Sequence, residues 1–236
     1  MIDLYAMGSP NVVKIYIALE ELGLPYTVQP VDVFGHGQFS EDFLKLNPNA
    51  KVPVIVDHDG PGGKPYTVFE SGAILIYLAE KTGKLLAKDG APRYDALQWL
   101  MVQLTGLGPM SGQFVHFFRF AGPGNDYALS RYKTQVRTVY KALEQRLGEA
   151  KYLGGDDYSI ADVATFPWAR MIEMMVGEAK PEHPNLLRWL ADIAARPAVV
   201  RALAAGEEVR TKVSTPDKVT KEQLDKVFGR GQFAAG

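Results

Sequence analysis

Residues 52–74 read VPVIVDHDGPGGKPYTVFESGAI, and this stretch decides the fold. Val54-Ile55-Val56 is a run of β-branched residues, the composition of a strand. A turn-rich segment, Asp57 to Pro65, leads into Thr67-Val68-Phe69, so the two runs read as a hairpin. Gly60-Pro61-Gly62-Gly63-Lys64 is its turn. The phosphate-loop spacing fails there, because Pro65 stands where that loop needs a serine or threonine. Glu70-Ser71 opens a strongly apolar helix, Gly72 to Lys81, stopped near Gly83.

Working outward, Ile2 to Ala6 is a short apolar strand, Val12 to Leu22 a helix ending at Gly23, and Pro25 to Val33 a second strand. Helical spacing returns over Ser40 to Leu46. The order β-α-β-α-β-β-α within residues 1–83 predicts an α/β sandwich domain. Residues 84–91 read as a linker. Beyond it, Arg93 to Leu104, Tyr127 to Leu147, Ile160 to Met175 and Leu186 to Ala195 carry helical spacing without a convincing strand. An all-helical domain is expected over 92–205. A polar tail follows over 206–236, with one short helix near Lys221 to Phe228.

The chain has 236 residues, 26 Lys and Arg against 27 Asp and Glu, and 47% hydrophobic residues. That composition is ample for a packed core and carries no basic bias toward nucleic acid or anionic membrane. There are no cysteines, so disulfides, zinc–thiolate sites and cysteine nucleophiles are excluded. The opening MIDLYAMGSP has neither a basic segment nor a long apolar run, so no signal peptide is expected and the reading favours the cytoplasm. No apolar run reaches the length of a membrane span. His36, His58, His116 and His183 are too scattered for a metal motif, and no metal is expected.

Three local features carry chemistry. Pro53 stands directly before a strand, where it cannot donate to the ladder. It is either an ordinary trans proline or a cis one that turns the Val52 N–H and C=O toward a ligand. Ser71 starts a helix, where its amide and hydroxyl suit a carboxylate, and Glu70 beside it suits an ammonium. Together they fit an α-amino acid head group; the competing reading is that Ser71 simply caps the helix. The loop Gly8-Ser9-Pro10-Asn11 offers a hydroxyl, a carboxamide and helix-terminal N–H groups. Such donors stabilise an anion, including a thiolate, and capping is again the alternative. Tyr5, inside the first strand, reads as a packing residue.

The three features in this order, within one β-α-β-α-β-β-α unit, resemble the glutathione-binding domain of cytosolic glutathione transferases. The run Gly154-Gly155-Asp156-Asp157-Tyr158-Ser159-Ile160-Ala161-Asp162 is similar to that superfamily's C-terminal signature. Physically, Ser159 to Asp162 is a capping-box spacing, a folding device rather than a chemical one. Ser9-Pro10-Asn11, Gly37-Gln38-Phe39, Asn47-Pro48-Asn49-Ala50-Lys51-Val52-Pro53, Gln98-Trp99-Leu100-Met101 and Gly106 to Gln113 resemble the bacterial nu class and its fungal nitrogen-regulator relatives.

The resemblance implies a thioredoxin-like N-terminal domain and an all-helical C-terminal glutathione transferase domain. It implies that Ser9 and Asn11 replace the catalytic tyrosine, serine or cysteine of other classes. That class more often has threonine where this chain has Ser9. It further implies glutathione contacts from Gln38, Asn49, Lys51, Val52, Pro53, Glu70, Ser71 and Arg131, the last from the helical domain or a partner subunit. The implied activity is disulfide-bond oxidoreduction with glutathione thiols, on a small-molecule disulfide. Conjugation, thiolysis or ether cleavage of an aromatic electrophile, and non-catalytic glutathione binding by a regulator, are the alternatives. A homodimer is implied, with Gln98 to Gln103 contributing.

Overall fold

The computed structural model describes residues 1–234, the side chains of 178 and 179 excepted. The chain divides into two compact units, one of Met1–Ile74 together with the residues from Val200 onward, the other of Leu75–Val199.

The first unit is thioredoxin-like. Strand β1 (Ile2–Ala6) buries Ile2, Leu4 and Ala6, the period-two alternation of an extended chain. Helix α1 (Pro10–Leu22) starts with proline in its first turn, where a missing N–H costs nothing. It ends at Gly23, whose φ of 67° places it in the left-handed region. There Leu24 N donates to Leu19 O at 3.0 Å, and the helix is closed. Val12, every residue from Lys14 to Leu19, and Leu22 are buried, so the helix is covered on more than one face. Strand β2 (Tyr26–Pro30) follows, then a 3-10 turn (Gly37–Phe39) and helix α2 (Glu41–Leu46). The Ser40 hydroxyl caps α2 by accepting from Phe43 N at 3.3 Å. Strands β3 (Val54–Asp57) and β4 (Tyr66–Phe69) form the expected hairpin, and α3 (Ser71–Thr82) leaves it. The sheet order is β2-β1-β3-β4, with β1 and β2 parallel and the other pairs antiparallel. Leu4 lies opposite Ile55, and Ile55 opposite Val68, along the centre of the sheet.

The second unit is all-helical. It runs through α4 (Gly90–Val102), a π turn (Gln103–Leu107), α5 (Gly108–Arg119), α6 (Asp126–Glu149), α7 (Ile160–Ala169), α8 (Ile172–Val176) and α9 (Pro184–Ala194). Every residue of α7 is buried, so it is the axis of this unit. Its start is a full capping box between Ser159 and Asp162. The Asp162 carboxylate also accepts from Leu153 N and Trp189 Nε1, each at 2.9 Å, so one buried side chain ties three segments together. Glu144 holds the start of α9 by accepting from Asn185 N and Leu186 N, at 3.1 and 2.9 Å.

Helix α10 (Pro197–Arg210) continues through Gly206 to Arg210, whereas the sequence reading expects polar, irregular chain from about Gly206. The residues from Val200 onward return to the first unit. Arg201 Nε lies 2.6 Å from Glu20 Oε2, and the other oxygen of that carboxylate accepts from Tyr26 Oη at 3.0 Å. Helix α11 (Lys221–Phe228) lies where the periodicity predicts it, with its own capping box from Thr220 to Gln223. Residues 235 and 236 of the expected tail lie outside the described residues.

Candidate functional site

The heads of two helices in the first unit carry the candidate residues. Ser9 immediately precedes α1 in an extended conformation, and its backbone C=O accepts from Val12 N and Val13 N, both at 3.0 Å. The carbonyl does the work of a cap, while the Ser9 side chain makes no capping hydrogen bond. The hydroxyl therefore remains available at the positive end of α1. Asn11 is the second residue of the helix.

At the head of α3 the cap position belongs to Glu70, whose carbonyl accepts from Ile74 N at 2.9 Å. Ser71 is the first helical residue, so the simple capping reading of Ser71 does not apply. Glu70 adopts φ 69°, a left-handed conformation that costs a residue with a Cβ about 1 kcal/mol. Such outliers gather where a side chain has to be aimed. The Ser71 side chain faces inward, and its Oγ accepts from Lys14 Nζ at 3.2 Å.

Between the two heads in sequence lies the turn 47–53. Asn47, 1% exposed, organises it: Nδ2 donates to Lys51 O at 2.7 Å and Oδ1 accepts from Asn49 N at 2.9 Å. Asn49 and Lys51 are exposed, Val52 is half-buried and Pro53 buried, and the Val52–Pro53 bond is cis. Asn49 Nδ2 reaches Glu70 Oε1 at 3.5 Å, which links the turn to the head of α3. Gln38, in the 3-10 turn, is 2% exposed, and its Oε1 has no hydrogen-bond partner among the described residues. An unmatched buried acceptor is costly, and a bound donor is one way to satisfy it. Arg131 is exposed on α6 in the second unit. Tyr5 is half-buried, edge-on to Phe43 with ring centres 6.1 Å apart. Burial, and then the Asp3 charge, push its phenol above the ordinary range, the wrong direction for an activating group.

Two residues of this region escaped the sequence reading. Asn47 was visible only as part of a run, because nothing in a sequence tells an organiser of a turn from an exposed carboxamide. Lys14 left a signal: a lone cation in the apolar helix Val12 to Leu19. Burial pulls its ammonium down from 10.5 to about 7, while the negative charge of Glu70 opposes the fall.

Among the described residues no group of three or more His, Asp or Glu side chains is placed to hold a metal, and no helix is long and apolar enough to cross a membrane.

The chain matches family models of the glutathione S-transferase N-terminal domain over residues 8–81 and of the C-terminal domain over residues 109–197. It is 44% identical over 209 residues to disulfide-bond oxidoreductase YfcG of Escherichia coli K12, covering 86% of this chain and 94% of that one. Among solved structures, a glutathione transferase family member from Pseudomonas fluorescens pf-5, with two glutathione bound, superposes with a TM-score of 0.81 at 44% identity. That match covers 86% of this chain and 92% of the other. A glutathione transferase from Pseudomonas putida, with one glutathione disulfide bound per subunit, has a TM-score of 0.81 at 41% identity, covering 86% and 90%.

Proposed function

Because this chain belongs to the glutathione S-transferase family, among its bacterial nu-like members, we propose that it is a disulfide-bond oxidoreductase that uses glutathione thiols. The observation that carries the reading is the uncommitted Ser9 hydroxyl at the head of α1 in a chain without cysteine. All the reacting sulfur must then come from the ligands.

In this reading Ser71 and Glu70 receive the charged γ-glutamyl head. The Val52 backbone pairs with the ligand's own backbone, and Gln38, Asn49, Lys51 and Pro53 complete the cradle. Ser9 and Asn11 donate to the thiolate. A free thiol, with a pKa of about 8.5, is only a few per cent ionised at neutral pH. Lowering that value by about two units requires roughly 2.7 kcal/mol of preferential thiolate stabilisation. Two or three hydrogen bonds to the charged form supply an energy of that order.

The thiolate attacks one sulfur of a disulfide, forming a mixed disulfide and releasing the other sulfur as a thiolate, which takes up a proton. A second glutathione thiolate then attacks the glutathione sulfur of the mixed disulfide. Glutathione disulfide forms, and the second substrate thiol leaves. Arg131 serves a glutathione carboxylate, and the protein acts as a cytoplasmic homodimer.

The test is reduction of a small organic disulfide by glutathione, coupled to a reductase that recycles glutathione disulfide. Conjugation of an aryl halide is measured beside it. Fast disulfide turnover with weak conjugation is the expected result. A Ser9→Ala, Asn11→Ala double variant should lose at least about a hundredfold in kcat/KM, as expected when thiolate donors are removed. Full turnover by that variant would remove these residues from the mechanism. Conjugation without disulfide turnover would favour an electrophile enzyme. Binding with neither activity would favour a regulator.

A further inference from the structure

Lys14 is 1% exposed on the apolar helix α1, and burying an ammonium is expensive unless something is gained. Its Nζ donates to Ser71 Oγ at 3.2 Å. Glu70, at the head of α3, is a charged group whose field acts on it. An ammonium has only donors, whereas a hydroxyl has one proton and two lone pairs. Once Ser71 Oγ accepts from Lys14, the serine proton has to point away from the lysine.

We propose that Lys14 is a positioning residue behind Ser71. By donating to Ser71 Oγ it turns the hydroxyl proton toward the carboxylate of a bound γ-glutamyl group, and it is coupled to that carboxylate through the hydroxyl between them. The proposal rests on the reading of Ser71 as the carboxylate site. A donor that itself accepts from a cation is polarised and binds an anion more strongly. The coupling also runs in reverse. Without ligand, burial holds the lysine near neutrality at about pH 7, where a large share of molecules carry it unprotonated. An anion on the far side of Ser71 favours the charged form and draws in a proton. Ligand binding is therefore linked to proton uptake, and affinity is highest below the free value and falls as pH rises above it.

The experiment is calorimetric titration of the full chain with S-methylglutathione, which has no thiol to ionise and keeps its carboxylates charged. It is run in buffers of different ionisation enthalpy. The dissociation constant should rise about fivefold or more between about pH 6.5 and pH 8, with net proton uptake at about pH 7.5. Lys14→Met should bind more weakly at the lower pH and show neither the slope nor the uptake. Should that variant not fold, the lysine Cε resonance of 13C-lysine-labelled wild-type protein replaces it. One lysine should titrate near pH 7 in the free protein and above pH 8 when saturated. Unchanged uptake in folded Lys14→Met, or no lysine titrating below about pH 9, overturns the role of Lys14 and leaves the ligand site standing. Absence of any binding at either pH overturns the site itself.

Discussion

Arg210 lies directly on Gly8: a Cβ built on that glycine would stand 2.0 Å from the arginine Cγ and 2.5 Å from its Cδ. The end of α10 thus packs its aliphatic stem on the residue before Ser9. Gly8→Ala should push that stem aside and destabilise the protein by about 1 kcal/mol. In an Arg210→Ala background the same change should cost little, because nothing is left to displace. Denaturant midpoints of the four proteins give the coupling. An equal cost in both backgrounds would mean that glycine serves some other need there.

Tyr5→Phe tests the assignment of the thiolate donors from the opposite side. The Tyr5 ring packs on Phe43, and its phenol is harder to ionise than a free one. Removing the hydroxyl should leave disulfide turnover within about twofold of wild type, as for a side chain that only packs. A hundredfold loss would make Tyr5, rather than Ser9, the activating hydroxyl.

Asp162→Ala should be among the most damaging single changes in the helical unit. It strips the acceptor from Leu153 N, Ser159 N and Trp189 Nε1 in a place with no exposure. A loss of about 3–5 kcal/mol follows from orphaning three buried N–H donors at about 1–3 kcal/mol each. Urea unfolding followed by tryptophan fluorescence measures it, since Trp189 is one of the orphaned groups. Asp162→Asn, which keeps one acceptor oxygen, should fall between.

The clasp between Asp32 and Ser214 predicts an acid-sensitive tail. Burial pushes the Asp32 carboxyl up. Hydrogen bonds from the Ser214 hydroxyl and from the Gly35 and Ser214 N–H groups, with His36 nearby, outweigh it and hold the carboxyl below its ordinary range. A lowered value in the fold means that the contribution is complete above the unfolded carboxylate's range. It is lost as pH falls through the folded value. Amide protection in residues 32–39, taken relative to intrinsic exchange at each pH, should fall on acidification, and Ser214→Ala should produce the same fall at neutral pH. Unchanged exchange in the variant would show that the loop is held by other contacts, such as His36 Nε2 to Gln223 O at 3.1 Å.

Much of this was legible because local rules and tertiary structure agree. The hairpin at 52–69, the stop at Gly23, the box at Ser159–Asp162 and the short helix at Lys221–Phe228 each follow from turn, cap and period signals. What was missed has physical causes. Helix α5 holds a glycine- and proline-rich start, Gly108-Pro109, that reads as a break, yet the chain passes through a π turn and continues. Helix α10 carries Gly206 inside it, so the glycine that looks like a stop is simply a helical residue, and a Cβ there would stand at an ordinary 3.6 Å from Val13. The inward-facing Ser71 depended on a lysine far away in sequence, and no local rule points to such a partner.

The first unit is assembled from the two ends of the chain, Met1–Ile74 and the residues from Val200 onward. A ribosome delivers the first stretch long before the second. At about 5–20 residues per second, roughly 6–25 s separate them. During that interval Glu20 lacks Arg201, Asp32 lacks Ser214, and the loop bearing Ser9 lacks the arginine that rests on Gly8. The nascent protein is therefore synthesised with the loop of Ser9 first and its clasp later, and the thioredoxin-like unit is completed only as the residues from Val200 onward emerge.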